Sequence, residues 1–376
     1  MKSEILKFPQ KFYWGTATSA YQVEGGIKND WSVAGEKYNA GLACDHYNRY
    51  EEDFNLAKEM NNNAHRFSIE WARIEPKEGE FNQKEIEHYR KVILALKEKN
   101  LEPFVTLYHW TLPIWFAEKG GWLNKDAPRY FERFAERMAE EYKDLVKFWI
   151  TLNEPNIYTF HSFLRGIWPP FIRSWFKTRQ VFKQLTESHK KAYQVIRQIS
   201  PDAKVGIAYL KGKSMIVSCE WIYKFLDSIK NYQDFIGLNY YVSSFSRSLW
   251  AIIIRSKKQI TDLGWQICPE GIYHVLKDLK KYRRPIFITE NGLADRKDEK
   301  RAGFIINHLK WVHKAIEEGA DVRGYFHWSL IDNFEWDKGF EPRFGLIEID
   351  YQTLKRIPRP SARVYAEICK NNAISI

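Results

Sequence analysis

Short apolar segments of strand length alternate with longer segments of helical periodicity along this chain. The segments that read as strands are Tyr13–Thr16, His65–Ile69, Pro103–Leu107, Phe148–Leu152, Val205–Tyr209, Phe235–Asn239, Ile286–Thr289 and Gly324–Trp328. Apolar residues recur at three- and four-residue steps in the predicted helices Tyr47–Met60, Gln83–Lys99, Ala127–Tyr142, Thr178–Ile199, Glu220–Ile229, Glu270–Tyr282, Ala302–Glu318 and Ser361–Lys370. Because each parallel strand needs a crossover helix and eight strands close a packed cylinder, this order predicts an α/β fold, the (β/α)8 TIM barrel.

The length of 376 residues suits either two ordinary domains or one α/β barrel. No linker rich in Ser, Gly or Pro, no low-complexity tract and no block of like charge interrupts the sequence. We therefore expect residues 1–376 to form a single barrel domain.

The sequence also contains 15 Trp, 21 Tyr and 24 Phe. Their rings suit the apolar faces of sugars, although a core rich in Trp explains any single one equally well.

Two of the predicted strands end in a glutamate. Glu154 lies in the segment Thr151–Pro155 after the fourth strand, and Glu290 lies in Ile288–Gly292 at the end of the seventh. Catalytic residues of such barrels lie at the carboxyl ends of the strands. Two carboxyl groups that face each other across a sugar can cleave a glycosidic bond, because one protonates the leaving oxygen while the other attacks the anomeric carbon. The sequence therefore predicts a retaining β-glycosidase.

The formal net charge of +11 would suit an acidic partner such as nucleic acid or an anionic membrane surface. Lys and Arg are, however, spread along helical faces such as Lys183–Lys191 and Lys277–Arg284, where a solvated surface explains them. We expect no nucleic-acid partner and no stable membrane anchoring. The segment Arg247–Lys258 holds an apolar run between basic residues, and it is open to three interpretations: a buried helix, a lip for apolar aglycones or a weak membrane contact.

Cysteine usage bears on metal sites and on the compartment. Cys44, Cys219, Cys268 and Cys369 are far apart and form no Cys-x-x-Cys pair, so neither a zinc site nor a disulfide framework is indicated. Reduced thiols and the absence of an apolar export segment within residues 1–10 favour a cytoplasmic protein. We expect no metal and no organic cofactor, and the oligomeric state is not indicated.

Seven segments carry a family resemblance. They are Phe12–Gly25, Arg66–Trp71, Tyr108–Trp110, Thr151–Pro155, Gly237–Tyr241, Thr289–Gly292 and Trp328–Trp336. In these segments, and in their order, the chain resembles the β-glycosidases of glycoside hydrolase family 1, as a compact member. The resemblance implies an O-glycosyl hydrolase of the β-glucosidase type that removes terminal non-reducing β-D-glycosyl residues by double displacement. β-D-Glucosides are the first expectation, and β-D-galactosides or fucosides are also expected to be accepted.

The resemblance also implies catalytic roles. Glu154 is expected to be the general acid and base, which requires a pKa raised by burial or by a nearby carboxylate. Glu290 is expected to be the nucleophile and must stay ionised, so Arg66 and Tyr241 are expected to lower its pKa through charge and hydrogen bonding. Asn153 is expected to reach the sugar 2-hydroxyl, a contact that strengthens in the transition state.

The remaining site residues match positions at which the family binds the glycone. Gln22, His109, Glu335 and Trp336 are expected to hydrogen-bond the other hydroxyls, and Trp328 is expected to form the stacking floor. A lone histidine beside a tryptophan is often a satisfied core residue, so His109 carries that second interpretation.

Two features narrow the substrate class. The family's thioglucosidases replace the acid with glutamine, whereas Glu154 is intact, and Glu335 is a carboxylate that would repel a sugar phosphate. The region between Tyr209 and Asp234 is shorter than in the family, and the family's Asn at the end of the fifth strand is missing, so we expect a more open aglycone side.

The residues considered for contact with a bulky or hydrophobic aglycone are Trp168, Phe171, Trp175, Trp250 and Ile252–Ile254. A glycan-binding barrel without turnover and a transglycosidase are the alternative functions.

Overall fold

The structure, a computed structural model, describes residues 4–211, 219–241 and 260–376, without the side chains of residues 219–223. Strand β1 (Ile5–Lys7) precedes the barrel strands β2 (Tyr13–Ala17), β3 (Ala64–Ser68), β4 (Glu102–Tyr108), β5 (Phe148–Asn153), β6 (Lys204–Leu210), β7 (Phe235–Tyr240), β8 (Ile286–Asn291) and β9 (Val322–Trp328). Neighbouring strands pair in parallel, and β2 also pairs with β9, which closes the barrel. The predicted TIM barrel is confirmed, and each predicted strand end lies within two residues of the observed one.

Helices connect the barrel strands. In the described residues they are α1 (Ala20–Val23), α2 (His46–Glu59), α3 (Trp71–Ile74), α4 (Gln83–Glu98), α5 (Ile114–Glu118), α6 (Ala127–Tyr142), α7 (Pro155–Thr159), α8 (Trp175–Ile199), α9 (Cys219–Ser228), α10 (Pro269–Leu279), α11 (Arg301–Glu317) and α12 (Pro360–Asn371). Local capping fixes some of their ends: the side chain of Asn82 accepts hydrogen bonds from the first free N–H groups of α4. All eight predicted helices are present, and their ends lie within three residues of the predicted ones.

Aromatic rings fill the amino-terminal end of the barrel. Phe104 and Phe148 stack with ring centroids 4.2 Å apart, and Phe326 packs edge-on to Phe104 at 4.7 Å. The strands make room for these rings with small residues, since a Cβ added at Gly15 would lie 2.6 Å from the Phe326 ring. This end is therefore a dense apolar plug, which leaves the carboxyl end of the barrel for polar groups.

Two antiparallel pairs lie outside the barrel, and the sequence did not predict them. Strand β1 pairs with β12 (Ala373–Ser375), which joins the two ends of the described chain, and β10 (Ile347–Asp350) pairs with β11 (Lys355–Pro358). The whole segment Arg247–Lys258 lies outside the described residues, so its three interpretations stay open. None of the helices in the described ranges is long and apolar enough to cross a membrane.

Candidate active site

Strand pairing is irregular at the carboxyl end of the barrel, where the polar residues collect. The register shifts fall at Ile150/Asn153 of β5, Leu238/Asn239 between β7 and β8, and Ile288/Asn291 of β8. Such irregularities bend a strand locally and redirect the side chains beside them. Glu154 follows the first of these shifts, and Glu290 lies within the last.

Glu154 lies in a sharp turn between β5 and α7. Its backbone adopts a left-handed conformation with φ of 43°, and its N–H donates to the carbonyl of Ala208 at 2.8 Å. Its side chain is buried, with 2% exposure, and Oε1 accepts a hydrogen bond from Nδ2 of Asn239 at 2.8 Å. Burial raises the pKa of Glu154 well above its ordinary value, and the negative charge of Glu290 raises it further. The protonated form of this carboxyl group is therefore favoured.

Glu290 has a different environment from Glu154 at the end of β8. Nη1 of Arg66 donates to its Oε1 at 2.5 Å, and the hydroxyl of Tyr241 donates to its Oε2 at 2.6 Å. Burial, with 4% exposure, raises the pKa of Glu290 more strongly than Arg66 and Tyr241 lower it. The expectation of a lowered pKa is therefore wrong in net direction, because desolvation opposes ionisation. Arg66 and Tyr241 nevertheless favour the ionised form of Glu290, whereas the charge of Glu290 disfavours ionisation of Glu154.

A buried hydrogen-bond network joins these two carboxyl groups to their neighbours. Nη2 of Arg66 donates to Oδ1 of Asn153 at 2.6 Å, and Nδ2 of Asn239 donates to the same oxygen at 3.1 Å. Nδ2 of Asn153 lies 3.1 Å from Nε2 of His109. Asn239 was not among the predicted site residues, although it lies in the motif Gly237–Tyr241 that supplied Tyr241.

His109 is buried beside the aromatic rings of the site. Its ring lies nearly parallel to those of Trp328 and Trp336, with centroids 6.0 and 5.9 Å away. Burial and the charge of Arg66 hold the pKa of His109 well below its usual value, so the ring is neutral. Among the described residues Nδ1 of His109 has no hydrogen-bond partner. Nδ1 of His161 and Nε2 of His308 are also buried without a partner in the described residues, so substrate contact by His109 stays a prediction.

Gln22 and Glu335 lie together on the far side of the site. Nε2 of Gln22 donates to Oδ1 of Asn333 at 2.9 Å and lies 3.5 Å from Oε2 of Glu335. Burial raises the pKa of Glu335 to about 8, and the charge of Glu290 contributes in the same direction. Trp336 stacks on Tyr21 with centroids 6.0 Å apart.

All ten predicted site residues belong to one connected cluster at the carboxyl end of the barrel. Direct contacts or charge interactions join Gln22, Arg66, His109, Asn153, Glu154, Tyr241, Glu290, Trp328, Glu335 and Trp336. Among the described residues, no group of three or more His, Cys, Asp or Glu could hold a metal ion. The arrangement is a pair of buried carboxyl groups lined with hydrogen-bond donors, acceptors and indole rings.

The aromatic residues considered for aglycone contact differ in exposure. Trp168 is 5% exposed, and its Nε1 donates to Oδ1 of Asp337 at 3.0 Å. Phe171 and Trp175 are 42% and 45% exposed. Trp250 and Ile252–Ile254 lie outside the described residues. Of these three residues, Phe171 and Trp175 offer exposed ring surface. Trp168 is buried to about the same degree as Trp328 and Trp336, so its contact with an aglycone stays a prediction.

Comparison with known proteins decides the family. The sequence matches the family model described as Glycosyl hydrolase family 1 over residues 5–219 and 223–374. The chain belongs to glycosyl hydrolase family 1. As a family 1 member it is an O-glycosyl hydrolase of the β-glucosidase type that acts with retention of configuration. The predicted resemblance is thereby confirmed.

Three similar proteins illustrate the range of this family. A β-glycosidase from Pyrococcus horikoshii has a TM-score of 0.90 and 39% identity, covering 99% of this chain and 96% of that chain. β-Glucosidase A of Thermotoga maritima is 34% identical over 442 residues, covering 98% of this chain and 99% of that protein. A 6-phospho-β-galactosidase of Staphylococcus epidermidis is 31% identical over 468 residues, covering 98% of this chain and 99% of that protein.

Proposed function

We propose that this protein hydrolyses terminal non-reducing β-D-glycosyl residues, with β-D-glucosides as its preferred substrates, through a covalent intermediate on Glu290. The observation that carries the proposal is the unequal environment of two buried carboxyl groups. Glu290 is bonded directly by Arg66 and Tyr241, whereas Glu154 is bonded by a neutral amide. Unequal environments separate the two pKa values and so assign one group as nucleophile and the other as acid.

In the first step, ionised Glu290 attacks the anomeric carbon and forms a glycosyl ester. The bond from that carbon to the leaving oxygen breaks, and the leaving oxygen takes the proton of Glu154. Arg66 and Tyr241 hold the attacking carboxylate in one orientation, which lowers the entropic part of the barrier.

In the second step, Glu154 acts as a base. Esterification removes the negative charge of Glu290, and this charge is one cause of the raised pKa of Glu154. The pKa of Glu154 therefore falls in the intermediate, and its carboxylate can take a proton from water. As Glu154 takes this proton, the water oxygen attacks the anomeric carbon, and the ester bond to Glu290 breaks with release of its carboxylate. Two inversions give net retention.

The glycone is proposed to lie between these carboxyl groups and the indole rings. Asn153 would contact the 2-hydroxyl, and the free Nδ1 of His109 would donate to another hydroxyl. The proposed floor is Trp328, and the remaining hydroxyl contacts are with Gln22, Glu335 and Trp336. A phosphate beside the Glu335 carboxyl group would be repelled when both are charged, and the pKa of Glu335 is raised to about 8. We therefore expect free glycosides to be preferred over 6-phosphoglycosides, with a preference that grows as pH rises through that value.

Transglycosylation is a variant of the same mechanism in which an alcohol replaces water in the second step. It would appear as a change in product ratio with added alcohol. A glycan-binding barrel without turnover is not favoured, because the carboxyl pair and its supporting network are complete.

Two further expectations are proposals as well. We infer that residues 1–376 form one catalytic domain, which predicts a single cooperative unfolding transition in calorimetry. We also infer a cytoplasmic location, which the free thiols of Cys44, Cys268 and Cys369 support. Cell fractionation with an activity assay tests this location, and activity recovered outside the cytoplasmic fraction would contradict it.

Hydrolysis of 4-nitrophenyl β-D-glucoside tests the function. Wild-type protein should release nitrophenol, Glu290→Ala should abolish the release, and added azide should restore it with formation of a glucosyl azide of inverted configuration. Glu59→Ala, which removes an exposed glutamate at the end of α2, is the matched control and should keep full activity. The proposal fails if wild-type protein is inactive on glucosides and other β-glycosides, or if Glu290→Ala keeps its activity.

A further inference from the structure

The side chain of Asn239 links the strand ends that carry the two proposed catalytic glutamates. It is fully buried at the end of β7. Its Nδ2 donates to Oε1 of Glu154 at 2.8 Å and to Oδ1 of Asn153 at 3.1 Å. Its Oδ1 accepts a hydrogen bond from Oγ1 of Thr289, the residue before Glu290, at 2.7 Å. The register of β7 against β8 shifts between Leu238 and Asn239, directly beside these contacts.

The direction of these hydrogen bonds is fixed by Arg66. A guanidinium group can only donate, so the Asn153 atom that lies 2.6 Å from Nη2 of Arg66 must be Oδ1. The Asn239 atom that faces the same oxygen must then be a donor, which identifies it as the amide nitrogen. The hydroxyl of Thr289 can donate or accept, so it fits this orientation without deciding it.

The same reasoning fixes the position of protons at both ends of the network. Because Asn153 uses Oδ1 for Arg66, its Nδ2 faces His109, and Nε2 of the neutral imidazole must accept. The imidazole proton is then on Nδ1, the atom without a partner in the described structure. At the other end, Oε1 of Glu154 receives a donated hydrogen from Asn239.

We propose, on the basis of the function proposed above, that Asn239 is a positioning residue that keeps Oε1 of Glu154 as a hydrogen-bond acceptor and thereby places the acidic proton on Oε2. In the first step the O–H bond at Oε2 breaks as its proton passes to the glycosidic oxygen. In the second step Oε2 takes the proton of the attacking water. Asn239 exchanges no proton in either step.

The loss of this amide has a predictable sign in the pH profile. A hydrogen bond donated to a carboxylate stabilises the charged form and lowers its pKa. The other groups that act on Glu154 are Glu290 and Glu335, which raise its pKa, and Arg66, which lowers it. Asn239 also lowers the pKa of Glu290, so Asn239→Ala raises the pKa of both carboxyl groups, and the leaving-group effects are therefore compared at the pH optimum of each protein. The basic limb of the profile of kcat/KM should therefore move to higher pH.

The experiment compares aryl β-glucosides of graded leaving-group pKa in wild-type protein and in Asn239→Ala. The parameter is kcat/KM, because it reports the first step, in which Glu154 acts as acid. Unsubstituted phenol needs protonation to leave, whereas 2,4-dinitrophenol does not. We expect a loss of about 10- to 100-fold with phenyl glucoside and of less than about threefold with dinitrophenyl glucoside, within the range that acid catalysis supplies.

Asn62→Ala is the matched control. Asn62 is equally buried and accepts a hydrogen bond from Thr16, but it precedes β3 at the opposite end of the barrel. It should lose thermal stability and keep the wild-type leaving-group dependence and pH profile. Equal losses on both substrates in Asn239→Ala, or a basic limb that stays in place, would overturn the positioning role. The proposed function would still hold if wild-type protein hydrolyses glucosides and Glu290→Ala does not, so failure of the positioning role is distinguishable from failure of the function.

Thr289→Val keeps the test valid if Asn239→Ala does not fold. This change removes only the hydroxyl that bonds Oδ1 of Asn239, so the amide remains present but is held at one fewer point. We expect a smaller loss in the same direction, greater for phenyl than for dinitrophenyl glucoside. A folded Thr289→Val with the same loss on both substrates would contradict the proposal.

Discussion

Replacement of Tyr241 by Phe tests how the nucleophile is kept ionised. The hydroxyl of Tyr241 donates to Oε2 of Glu290 at 2.6 Å, and both side chains are buried. Phe keeps the ring, which packs against Trp265 and Phe344, and removes only the donor. The change therefore isolates one hydrogen bond to the carboxylate.

The size of the effect follows from the strength of that bond. A hydrogen bond to a charged group contributes about 1.5–3 kcal/mol, and one pKa unit corresponds to about 1.4 kcal/mol. Loss of the donor should therefore raise the pKa of Glu290 by about 1–2 units. Since the nucleophile must be ionised, the acid limb of the profile of kcat/KM should move to higher pH by the same amount. On that limb, activity should fall by about 10- to 100-fold.

The assay is kcat/KM for 4-nitrophenyl β-glucoside across the acid limb. Tyr240→Phe is the matched control, because the hydroxyl of Tyr240 donates to the carbonyl of Cys268 and not to either glutamate. The control should keep the wild-type acid limb. The reasoning is refuted if the acid limb of Tyr241→Phe stays in place or moves to lower pH, since burial alone would then set the titration of Glu290.

Three other predictions concern separate parts of the molecule. Burial and neighbouring carboxylates raise the pKa of Glu335 to about 8. Because an ionised carboxylate accepts hydrogen bonds from sugar hydroxyls more strongly than a neutral carboxyl group, KM for glucosides should fall as pH rises through that value. Glu335→Gln should remove this dependence in steady-state kinetics. A Cβ at Gly292 would lie 1.8 Å from the carbonyl oxygen of Trp328, so Gly292→Ala should displace that strand end and lower kcat/KM at least tenfold, whereas unchanged kinetics would contradict the contact. Hydrogen bonds and charge interactions with His46 and Arg356 lower the pKa of Asp53 by more than burial raises it. The contribution of ionised Asp53 to the free energy of unfolding should therefore be lost as pH falls through the acid range. Asp53→Asn leaves Arg356 buried without its counter-charge, and urea denaturation should show a loss of about 3–5 kcal/mol at pH 7 that shrinks in acid.

The barrel was predictable from sequence because its strands are buried on both faces. Such strands are continuous apolar runs, as in Phe148–Leu152, and their spacing leaves room for one crossover helix each. The pairing of β1 with β12 was not predictable, since it joins two three-residue strands at opposite ends of the chain. The hairpin of β10 and β11 was also not predicted, because its two strands have only four residues each and follow the last barrel strand, outside the alternation of strands and helices.

The sequence predicted which residues form the candidate site, because they lie in motifs. It did not predict the contacts between those residues, because these arise only in the folded structure. Asn239 lies in a recognised motif, but its hydrogen bond to Glu154 joins the ends of two strands that are distant in sequence, and no motif specifies such a contact. The predicted direction of the pKa shift of Glu290 was wrong for a similar reason. Its partners Arg66 and Tyr241 are readable from the motifs, whereas the extent of its desolvation depends on the whole packed site.

Covalent trapping of the glycosyl intermediate tests the central claim most directly. In 2,4-dinitrophenyl 2-deoxy-2-fluoro-β-D-glucoside, the fluorine destabilises the cationic transition states of both steps, while the leaving group keeps the first step fast. Mass spectrometry of a proteolytic digest should locate one fluoroglucosyl group on Glu290, and Glu290→Ala should stay unlabelled. A label on another residue, or an unlabelled wild-type protein that still hydrolyses glucosides, would contradict the assignment of Glu290 as the nucleophile opposite Glu154.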